Sequence, residues 1–337
     1  MLQQPALLRS GASQSGVLDS VRQRITALGL DLSGLTVITE AATGHYATTA
    51  VIAALAGAKR VIARTRDTAR HGSAREATAA TLSLAGEALV ADRITIVERI
   101  EDTHLAACDI LTNTGHLRPI TRAVIEHLPA RAVVALMYEA WEFRGDDIDL
   151  AACRERGIRV AAVNERHPDV GVFPFLGPLC VRLLADAGVN AAGRRVALIC
   201  DNPFAPFIEA GLRNAGATVQ VFQSLADLRM EACDVVAVAL NPEQRPALGF
   251  GDFEALAAHA PSALVAQFWG DIDRGAARRA GFGVCPAAEP ARGHMGILLN
   301  ALGHEPIVRL QAGGLAAAAA IYHGHVPFAG DVSELLA

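Results

Sequence analysis

Short runs of aliphatic and β-branched residues alternate along the chain with longer segments whose apolar residues recur at helical spacing. The runs predict strands at 35–39, 60–63, 94–97, 109–112, 133–137, 159–163, 196–199, 219–222, 235–239, 263–267 and 282–284. Helix-length segments fill most of the intervals, for example 47–56, 122–128, 205–214 and 253–259. This alternation is typical of parallel, doubly wound α/β sheets.

Two such sheets follow one another in the sequence. The boundary falls on the helical segment 174–187 and on the connector GVNAAGRR behind it, which is rich in glycine, asparagine and alanine. A length of 337 residues, of which 52% are hydrophobic and 19% charged, suits two domains with large cores. We therefore predict an α/β protein with two tandem doubly wound domains and a cleft between them.

Charge and cysteine usage exclude several classes of partner. A net charge of -5 provides no basic surface for nucleic acid or for an anionic membrane. The six cysteines form no C-x-x-C pair and no Cys/His cluster at metal-ligand spacing, which indicates a reducing compartment and no metal. The N-terminus lacks the features of a signal peptide, and no apolar run is long enough to span a bilayer. We expect a cytoplasmic protein whose partner is a small molecule.

The loops that follow the predicted strands are rich in ionisable and aromatic residues. Ligands of open α/β sheets bind at the carboxyl ends of the strands, so these loops are the place to look for chemistry. They read TEAATGHY (39–46), TNTGHLRP (112–119), MYEAWEFR (137–144), CDNPFAPF (200–207), QFWGDIDR (267–274) and EPARGHMG (289–296). Their collection at one edge of both sheets predicts a functional site.

One of these loops stands where a dinucleotide-binding protein carries G-x-G-x-x-G. In ALICDNPFAPFIEAGL, residues 197–212, Cys200, Asn202 and Ala205 occupy the three glycine positions. Asn202 removes the clearance that the middle glycine gives to a pyrophosphate, and Pro203 removes an N–H donor. The turn is either a cofactor site with an unusual sequence or a site that no longer binds a cofactor.

Residues 146–188, DDIDLAACRERGIRVAAVNERHPDVGVFPFLGPLCVRLLADAG, resemble a segment of the D-isomer-specific 2-hydroxyacid dehydrogenases. In that family a D-x-I-D-L-x-A-A-x-x-R-G-I-x-V-x-N run closes the substrate domain and leads into the linking helix. Three further segments match in the family's order: GRRVALICDNPFAPFIEAGLRNAGATVQVF, GHMG and RLQAGGLAAAAAIYHGHVPFAGDV. The chain thus resembles a divergent member with degenerate cofactor and catalytic motifs.

The resemblance implies a flavodoxin-like substrate domain, residues 1–172 with a returning C-terminal helix at 312–337, and a Rossmann-like domain at 173–311. It implies oxidation or reduction of a 2-hydroxy or 2-keto acid with NAD or NADP, and a homodimer. The cofactor would then contact Asp201, Asn202, Phe204, Ala205, Gln223, Gln267 and Trp269.

Departures from the family pattern weaken the cofactor assignment. The substrate-binding arginine of the family falls on or beside Gly270, with Arg274 one helical turn away. The acidic residue that binds the adenosine ribose is replaced by Gln223, for which Asp201 and Asp227 are possible substitutes. Together with the glycine-poor turn, these losses argue against ordinary NAD binding.

Catalytic candidates come from the histidine-bearing loops. His294 lies in the GHMG context of the family's catalytic histidine and titrates near neutral pH. Glu289 is the nearest carboxylate, and the alternative for it is a helix cap or a solvated position. His116 and Arg118 either hold a substrate carboxylate in place of the lost arginine or satisfy the loop backbone.

Substrate candidates come from two loops of the first domain. Gly44 and His45 lie at a strand-to-helix turn that favours an anion, although Thr43 could be no more than a helix N-cap. The loop YEAWEFRGDD replaces the family's glycine-rich loop and suits a larger ligand, one with a positive charge near Glu139 or Glu142. Its candidates are Tyr138, Glu139, Trp141 and Arg144. The alternative is a buried ion pair of Arg144 with Glu139 or Glu142.

Three functions remain open at this point. The first is an NAD(P)-dependent oxidoreductase with an unusual acid substrate, which the retained scaffold favours. The second is a lyase, isomerase or hydrolase on the same scaffold. The third is a small-molecule-binding protein without turnover.

Overall fold

The computed structural model describes residues 14–68, 72–228, 232–242 and 247–337. The chain divides into two compact units, one up to Val172 together with Gly303–Ala337, the other Phe173–Leu302. The strands are β1 (Thr36–Glu40), β2 (Arg60–Arg64), β3 (Ile94–Val97), β4 (Ile110–Thr112), β5 (Val133–Ala135), β6 (Arg159–Val163), β7 (Arg195–Ile199), β8 (Thr218–Phe222), β9 (Val235–Ala239), β10 (Leu264–Trp269), β11 (Gly283–Cys285) and β12 (Ser333–Leu335).

The α-helices alternate with these strands, as the hydrophobic periodicity predicts. They are α1 (Gln14–Leu28), α2 (Thr48–Leu55), α3 (Ala74–Glu87), α4 (Asp102–Ala106), α5 (Arg122–Glu126), α6 (Leu150–Arg156), α7 (Leu176–Asp186), α8 (Ala205–Asn214), α9 (Phe250–His259), α10 (Arg274–Arg279) and α11 (Glu305–Tyr322). Strand β9, VVAVA, is buried along its whole length, as expected for a parallel strand that is covered on both faces.

The described strands of the first unit form one seven-stranded sheet in the order β12-β6-β5-β4-β1-β2-β3. All neighbours pair in parallel except β12, which is antiparallel to β6. Counted from the other edge, the parallel strands follow the order 3-2-1-4-5-6, which is the Rossmann order. The strand order reverses between β1 and β4, so the topological switch point lies between these two strands.

The described strands of the second unit form a five-stranded parallel sheet in the order β11-β10-β9-β7-β8. Counted from β7 as the first strand, this is the order 2-1-3-4-5 of the flavodoxin-like fold. Its switch point lies between β7 and β9.

The prediction of two doubly wound α/β domains, one flavodoxin-like and one Rossmann-like, is confirmed, but the two strand orders are interchanged. The Rossmann order belongs to the first unit and the flavodoxin-like order to the second. Periodicity identifies strands and does not specify their order in a sheet, and the assignment came from the resemblance. The chain also returns to the first unit at Gly303, ahead of the predicted position 312.

Small residues let α11 lie close to the sheet of the first unit. A Cβ atom at Gly314 would come within 2.6 Å of the Met137 sulfur, and one at Gly313 within 2.9 Å of Val170. This agrees with the close packing that the alanine-rich sequence predicts. All six cysteines are buried free thiols. Within the described ranges, no helix is long and apolar enough to cross a membrane, and no group of His, Cys, Asp or Glu side chains is arranged to hold a metal ion.

Candidate functional site

The turn after β1 lies at the switch point of the first unit. Residues 42–47, ATGHYA, fit G-x-G-x-x-G with the middle glycine retained as Gly44 and alanine at the outer positions. Gly44 has a φ of +60°, a conformation that favours glycine. No atom lies within 4 Å of the place where its Cβ would be. The Gly44 backbone therefore faces open space, as the approach of a ligand requires.

A 3-10 helix, Gly44–Ala47, begins in this turn and leads directly into α2. The first N–H groups of a helix have no partner within the helix and carry a partial positive charge. Thr43 occupies the N-cap position, but its side chain makes no capping hydrogen bond. The His45 ring is half-buried with its centroid 6.0 Å from that of His304, and burial and the charge of His304 lower the pKa of His45. The turn fits a phosphate group.

Side chains of β1 and of the loop after β4 meet across the switch point. The Thr112 hydroxyl donates to Thr39 Oγ1 at 2.9 Å. The backbone N–H of His116 donates to Glu40 Oε2 at 3.1 Å, and the His116 ring is buried. Burial raises the pKa of the Glu40 carboxyl, while the His116 hydrogen bond and the charge of Arg118 act in the opposite direction. The structure thus places His116 next to the predicted anion-binding turn.

Arg118 is anchored in its own loop. Its guanidinium donates to the Asn113 carbonyl from Nη2 at 2.8 Å and from Nε at 3.0 Å, and Nε lies 3.6 Å from Asp147 Oδ2. These contacts agree with the alternative in which Arg118 satisfies the loop backbone. Burial lowers the pKa of Arg118, while Asp147 acts in the opposite direction.

Asp147 is the centre of a hydrogen-bonded network that includes the predicted substrate residues Tyr138 and Arg144. Its Oδ2 accepts from the Tyr138 hydroxyl at 2.5 Å and from Arg144 Nη2 at 2.7 Å. The guanidinium groups of Arg118 and Arg144 lie 5.5 and 5.3 Å from the Tyr138 ring centroid. Burial opposes ionisation of Asp147, but Arg118 and the Tyr138 and Arg144 hydrogen bonds outweigh it and lower the pKa of Asp147. Sequence reasoning missed this aspartate.

Glu139 is fully buried in a second network. Its Oε1 accepts from the Glu165 backbone N–H at 2.9 Å and from Arg166 Nε at 3.1 Å, and its Oε2 accepts from the Trp141 indole. The ion pair of Glu139 is therefore with Arg166 and that of Arg144 is with Asp147. The expected pairing of Arg144 with Glu139 is wrong, because each finds a partner elsewhere.

Two further carboxyl groups lie close to Glu139. Glu142 Oε1 is buried and accepts no hydrogen bond from the described residues. Burial and then the charge of Glu139 raise the pKa of Glu142 to about 8. Glu165 is 7% exposed, and burial followed by the charges of Glu142 and Glu139 raises its pKa well above the ordinary value. Burial thus favours the protonated forms of Glu142 and Glu165.

The glycine-poor turn of the second unit lies at the switch point of that unit. The side chains of the turn fill the switch point. Asn202 Nδ2 donates to the Ala239 carbonyl at 2.6 Å, which joins the end of β7 to the end of β9. Asp201 Oδ1 accepts from the Asn241 N–H at 3.0 Å and from Asn202 at 2.9 Å. Asp201 and Asn202 thus bind the protein itself at the position predicted for a cofactor.

The backbone donors predicted to hold a pyrophosphate here are also used within the turn. The Phe204 N–H donates to Asn202 Oδ1 at 3.1 Å, and the Ala205 N–H donates to the Asn202 carbonyl at 3.3 Å. Pro203 and Pro206 have no N–H. The side chains and N–H groups of this turn are thus engaged within the protein, and the cofactor-binding roles of Phe204 and Ala205 stay predictions.

The remaining cofactor candidates of the second unit have structural contacts. Trp269 is 4% exposed, with its ring 5.0 Å from that of Phe204. Gln267 is buried and donates to the Gly270 carbonyl at 2.9 Å. Arg274 is buried and donates to the carbonyls of Pro286 and Ala288, so it cannot replace the lost substrate arginine without rearrangement. Gln223 is exposed and directly follows β8, which is an edge strand of the sheet.

His294 and Glu289 lie in the segment after β11. His294 is half-buried, and its backbone N–H donates to the Ala291 carbonyl at 2.9 Å. Glu289 is exposed, and its charge acts on Arg274. An exposed glutamate at this place agrees with the alternative of a solvated side chain.

A search for the glycine motif that accepts alanine at the outer positions would have identified the turn at 42–47. The second part of that signature is an acidic residue about 20 positions further on or, in its place, an arginine nearby, and Arg64 and Arg66 stand there. No comparable signal marks Asp147 or Glu165, because their partners meet them only through the tertiary structure.

Comparison with known proteins supports the fold. No protein-family model and no curated protein matches the chain. Among solved structures it is similar to a dipicolinate synthase subunit from Bacillus halodurans, with 12% identity, a TM-score of 0.53 and coverage of 84% of this chain and 96% of that chain. The corresponding dipicolinate synthase chain from Bacillus subtilis gives 12% identity, a TM-score of 0.55 and coverage of 88% and 99%.

A third similar structure is the NAD-dependent formate dehydrogenase from Staphylococcus aureus in complex with NAD, with 13% identity, a TM-score of 0.46 and coverage of 89% and 98%. The two dipicolinate synthase structures match over most of both chains. The chain therefore has the two-domain α/β fold of these synthase subunits, as its sequence resemblance implied.

Proposed function

We propose that the protein is an NAD(P)-dependent oxidoreductase whose dinucleotide binds to the first unit, at the turn after β1. The observation that carries this proposal is the Rossmann strand order of the first unit, with a glycine-bearing strand-to-helix turn at its switch point. The second unit, to which the sequence resemblance assigns the cofactor, offers a turn whose donors are already used.

The turn at 42–47 and the first N–H groups of the helix behind it would hold the pyrophosphate, with Gly44 leaving room for its approach. Bound nicotinamide dinucleotide supplies hydride transfer. Thr112 and Asn113 lie at the carboxyl end of β4, on the other side of the switch point, where the Thr112 hydroxyl is bonded to Thr39 and the Asn113 amide to the Leu136 carbonyl and the Tyr138 hydroxyl.

The proposed substrate is a small 2-hydroxy or 2-keto acid, the class that the sequence resemblance implies. His116 is the proposed carboxylate ligand, since it lies on the loop after β4 beside the turn, and Arg118 would hold that loop through its bonds to the Asn113 carbonyl. Tyr138 and Arg144 would support the same loop through Asp147, whereas Glu139 and Trp141 bond to each other and Glu139 bonds to residues that follow β6. His294 lies in the second unit, and its predicted role in proton transfer stays a prediction.

The test is a calorimetric titration with NADH and NADPH of the wild-type protein and of Gly44→Asn. Asparagine tolerates a positive φ, so this variant keeps the turn and places a side chain where the phosphate would lie. Gly29→Asn is the matched control, because Gly29 has a φ of +57° and equally open surroundings at the end of α1. We expect micromolar binding of a cofactor, its loss in Gly44→Asn and its retention in Gly29→Asn. Absence of binding to the folded wild-type protein would refute the proposal.

A second candidate is a non-redox enzyme or a binding protein on the same scaffold. The filled switch point of the second unit favours it, because a scaffold that no longer binds a dinucleotide there has lost the family's usual activity. Absence of NADH and NADPH binding to the folded wild-type protein would favour this candidate, whereas equal cofactor affinity in Gly44→Asn and wild type would indicate that the dinucleotide binds elsewhere on the chain.

A further inference from the structure

Two arginines stand at the carboxyl end of β2, beside the turn after β1. Arg64 is the last residue of the strand and is half-buried, and Arg66 is exposed two residues later. Strand β2 pairs with β1 in parallel, with Arg64 opposite Glu40. The two side chains therefore lie at the same edge of the sheet as Gly44.

Neither arginine forms an ion pair with the carboxylates of the described chain. Arg64 Nε donates to the backbone carbonyl of Glu98 at 3.4 Å, and Arg66 Nη2 donates to the backbone carbonyl of Gly115 at 3.3 Å. Both bonds are long and both acceptors are neutral. A guanidinium gains more from a phosphate, which it binds through two parallel N–H···O bonds.

The two positive charges also act on each other. Burial and the charge of Arg66 lower the pKa of Arg64. The charge of Arg66 also acts on the Glu40 carboxyl, which is buried and accepts from the His116 backbone N–H. Among the described residues no carboxylate forms an ion pair with either guanidinium, and a bound anion would supply a counter-charge.

The place of the pair in the fold identifies the anion. In the Rossmann order the residues at the end of the second strand meet the adenosine ribose, where an acidic residue selects the free 2′-hydroxyl and an arginine accommodates a 2′-phosphate. We propose that Arg64 and Arg66 bind the 2′-phosphate of the adenosine ribose, so that the cofactor is NADP(H) rather than NAD(H). This inference rests on the proposed function and adds the cofactor class to it.

The experiment is calorimetry with NADPH, NADH, adenosine 2′-monophosphate and adenosine 5′-monophosphate. Wild-type protein and Arg66→Gln are compared, with Arg60→Gln as the control. Arg60 is an exposed arginine at the amino end of the same strand, so its loss changes the net charge equally at the far edge of the sheet. We expect the wild type to bind NADPH at least about tenfold more tightly than NADH, since charge-assisted hydrogen bonds to a phosphate are worth 1.5 kcal/mol or more, roughly tenfold in affinity.

Arg66→Gln should remove most of that preference and leave the NADH affinity unchanged, while Arg60→Gln should keep the preference. Tighter binding of the 2′-monophosphate than of the 5′-monophosphate would support the same conclusion without any catalytic readout. Equal affinity for NADPH and NADH would overturn this inference and leave the proposed function standing. Binding of neither dinucleotide would overturn both. If Arg66→Gln and Arg60→Gln lost the preference for NADPH over NADH equally, the preference would come from net charge, and the proposed role of Arg66 would be overturned.

Discussion

The buried Glu142 carboxyl should make the protein less stable as the pH rises. Its pKa is about 8 in the folded protein against an ordinary value of 4.5. The folded state therefore keeps the proton over a pH range in which the unfolded chain has already released it. A folded state that binds more protons loses stability with increasing pH, so the loss extends from about pH 4.5 to about pH 8.

The magnitude follows from the distance between the two pKa values. A difference of one between pH and pKa corresponds to about 1.4 kcal/mol. Between the ordinary pKa of 4.5 and a pH of about 7, the free energy of unfolding therefore falls by about 3 kcal/mol as an upper limit. The Glu142 side chain is half-buried, and water screens part of the effect. We expect that Glu142→Gln raises the free energy of unfolding by about 1–2 kcal/mol at pH 7 and by almost nothing near pH 4.5.

The assay is urea unfolding at several pH values between 4.5 and 8, with the midpoint and slope fitted at each. Glu126→Gln is the control, since Glu126 is exposed on α5. Its stability curve should run parallel to that of the wild type. A constant difference between Glu142→Gln and wild type over the whole pH range would refute the reasoning, because a linked titration must change that difference.

Three further substitutions test the packing and the hydrogen-bond networks by urea unfolding. Gly177→Ala should cost about 2–3 kcal/mol, since its Cβ would lie 2.6 Å from Gly211 Cα, and an unchanged midpoint would contradict this close helix contact. Tyr138→Phe should cost about 1–2 kcal/mol, because it leaves the buried Asp147 without a hydroxyl donor, and the loss should shrink at acid pH as Asp147 is protonated. Asn202→Ala should cost about 1 kcal/mol and leave NADPH affinity unchanged, whereas a loss of binding would return the cofactor to the second unit.

The strands were predictable where aliphatic and β-branched residues form short runs. Predicted ranges 94–97, 159–163 and 235–239 coincide with β3, β6 and β9, although β3 is fully buried only at Ile94. Strand β12 was missed because SEL is only three residues long with a glutamate in the middle, and it pairs with β6 at the edge of the sheet. The strand orders were assigned the wrong way round, because neighbours in a sheet are chosen by tertiary packing that periodicity does not encode.

The candidate site was predictable at the level of loops and not of contacts. The aromatic and charged loop at 137–144 was identified, but the partner of Tyr138 and Arg144 is Asp147, which lies just beyond that loop at the start of the segment 146–188. The partner of Glu139 is Arg166, which follows a different strand. Which residues form an ion pair depends on which strand ends are adjacent. Strands β5 and β6 become neighbours only in the folded sheet, so this pair could not be predicted from the sequence.

The two switch points differ in what a ligand would have to displace. At the second unit a pyrophosphate would have to break the bonds of Asn202 to Ala239 and to the Phe204 N–H, each worth about 1 kcal/mol, and would still meet two prolines without donors. Two such bonds correspond to roughly a thirtyfold loss of affinity before any contact is gained. At the first unit the Gly44 backbone faces open space and two arginines contact only neutral carbonyls at long distance. The proposed turn of the first unit would therefore require a dinucleotide to displace fewer hydrogen bonds than the turn of the second unit, although the linear order of motifs points to the second.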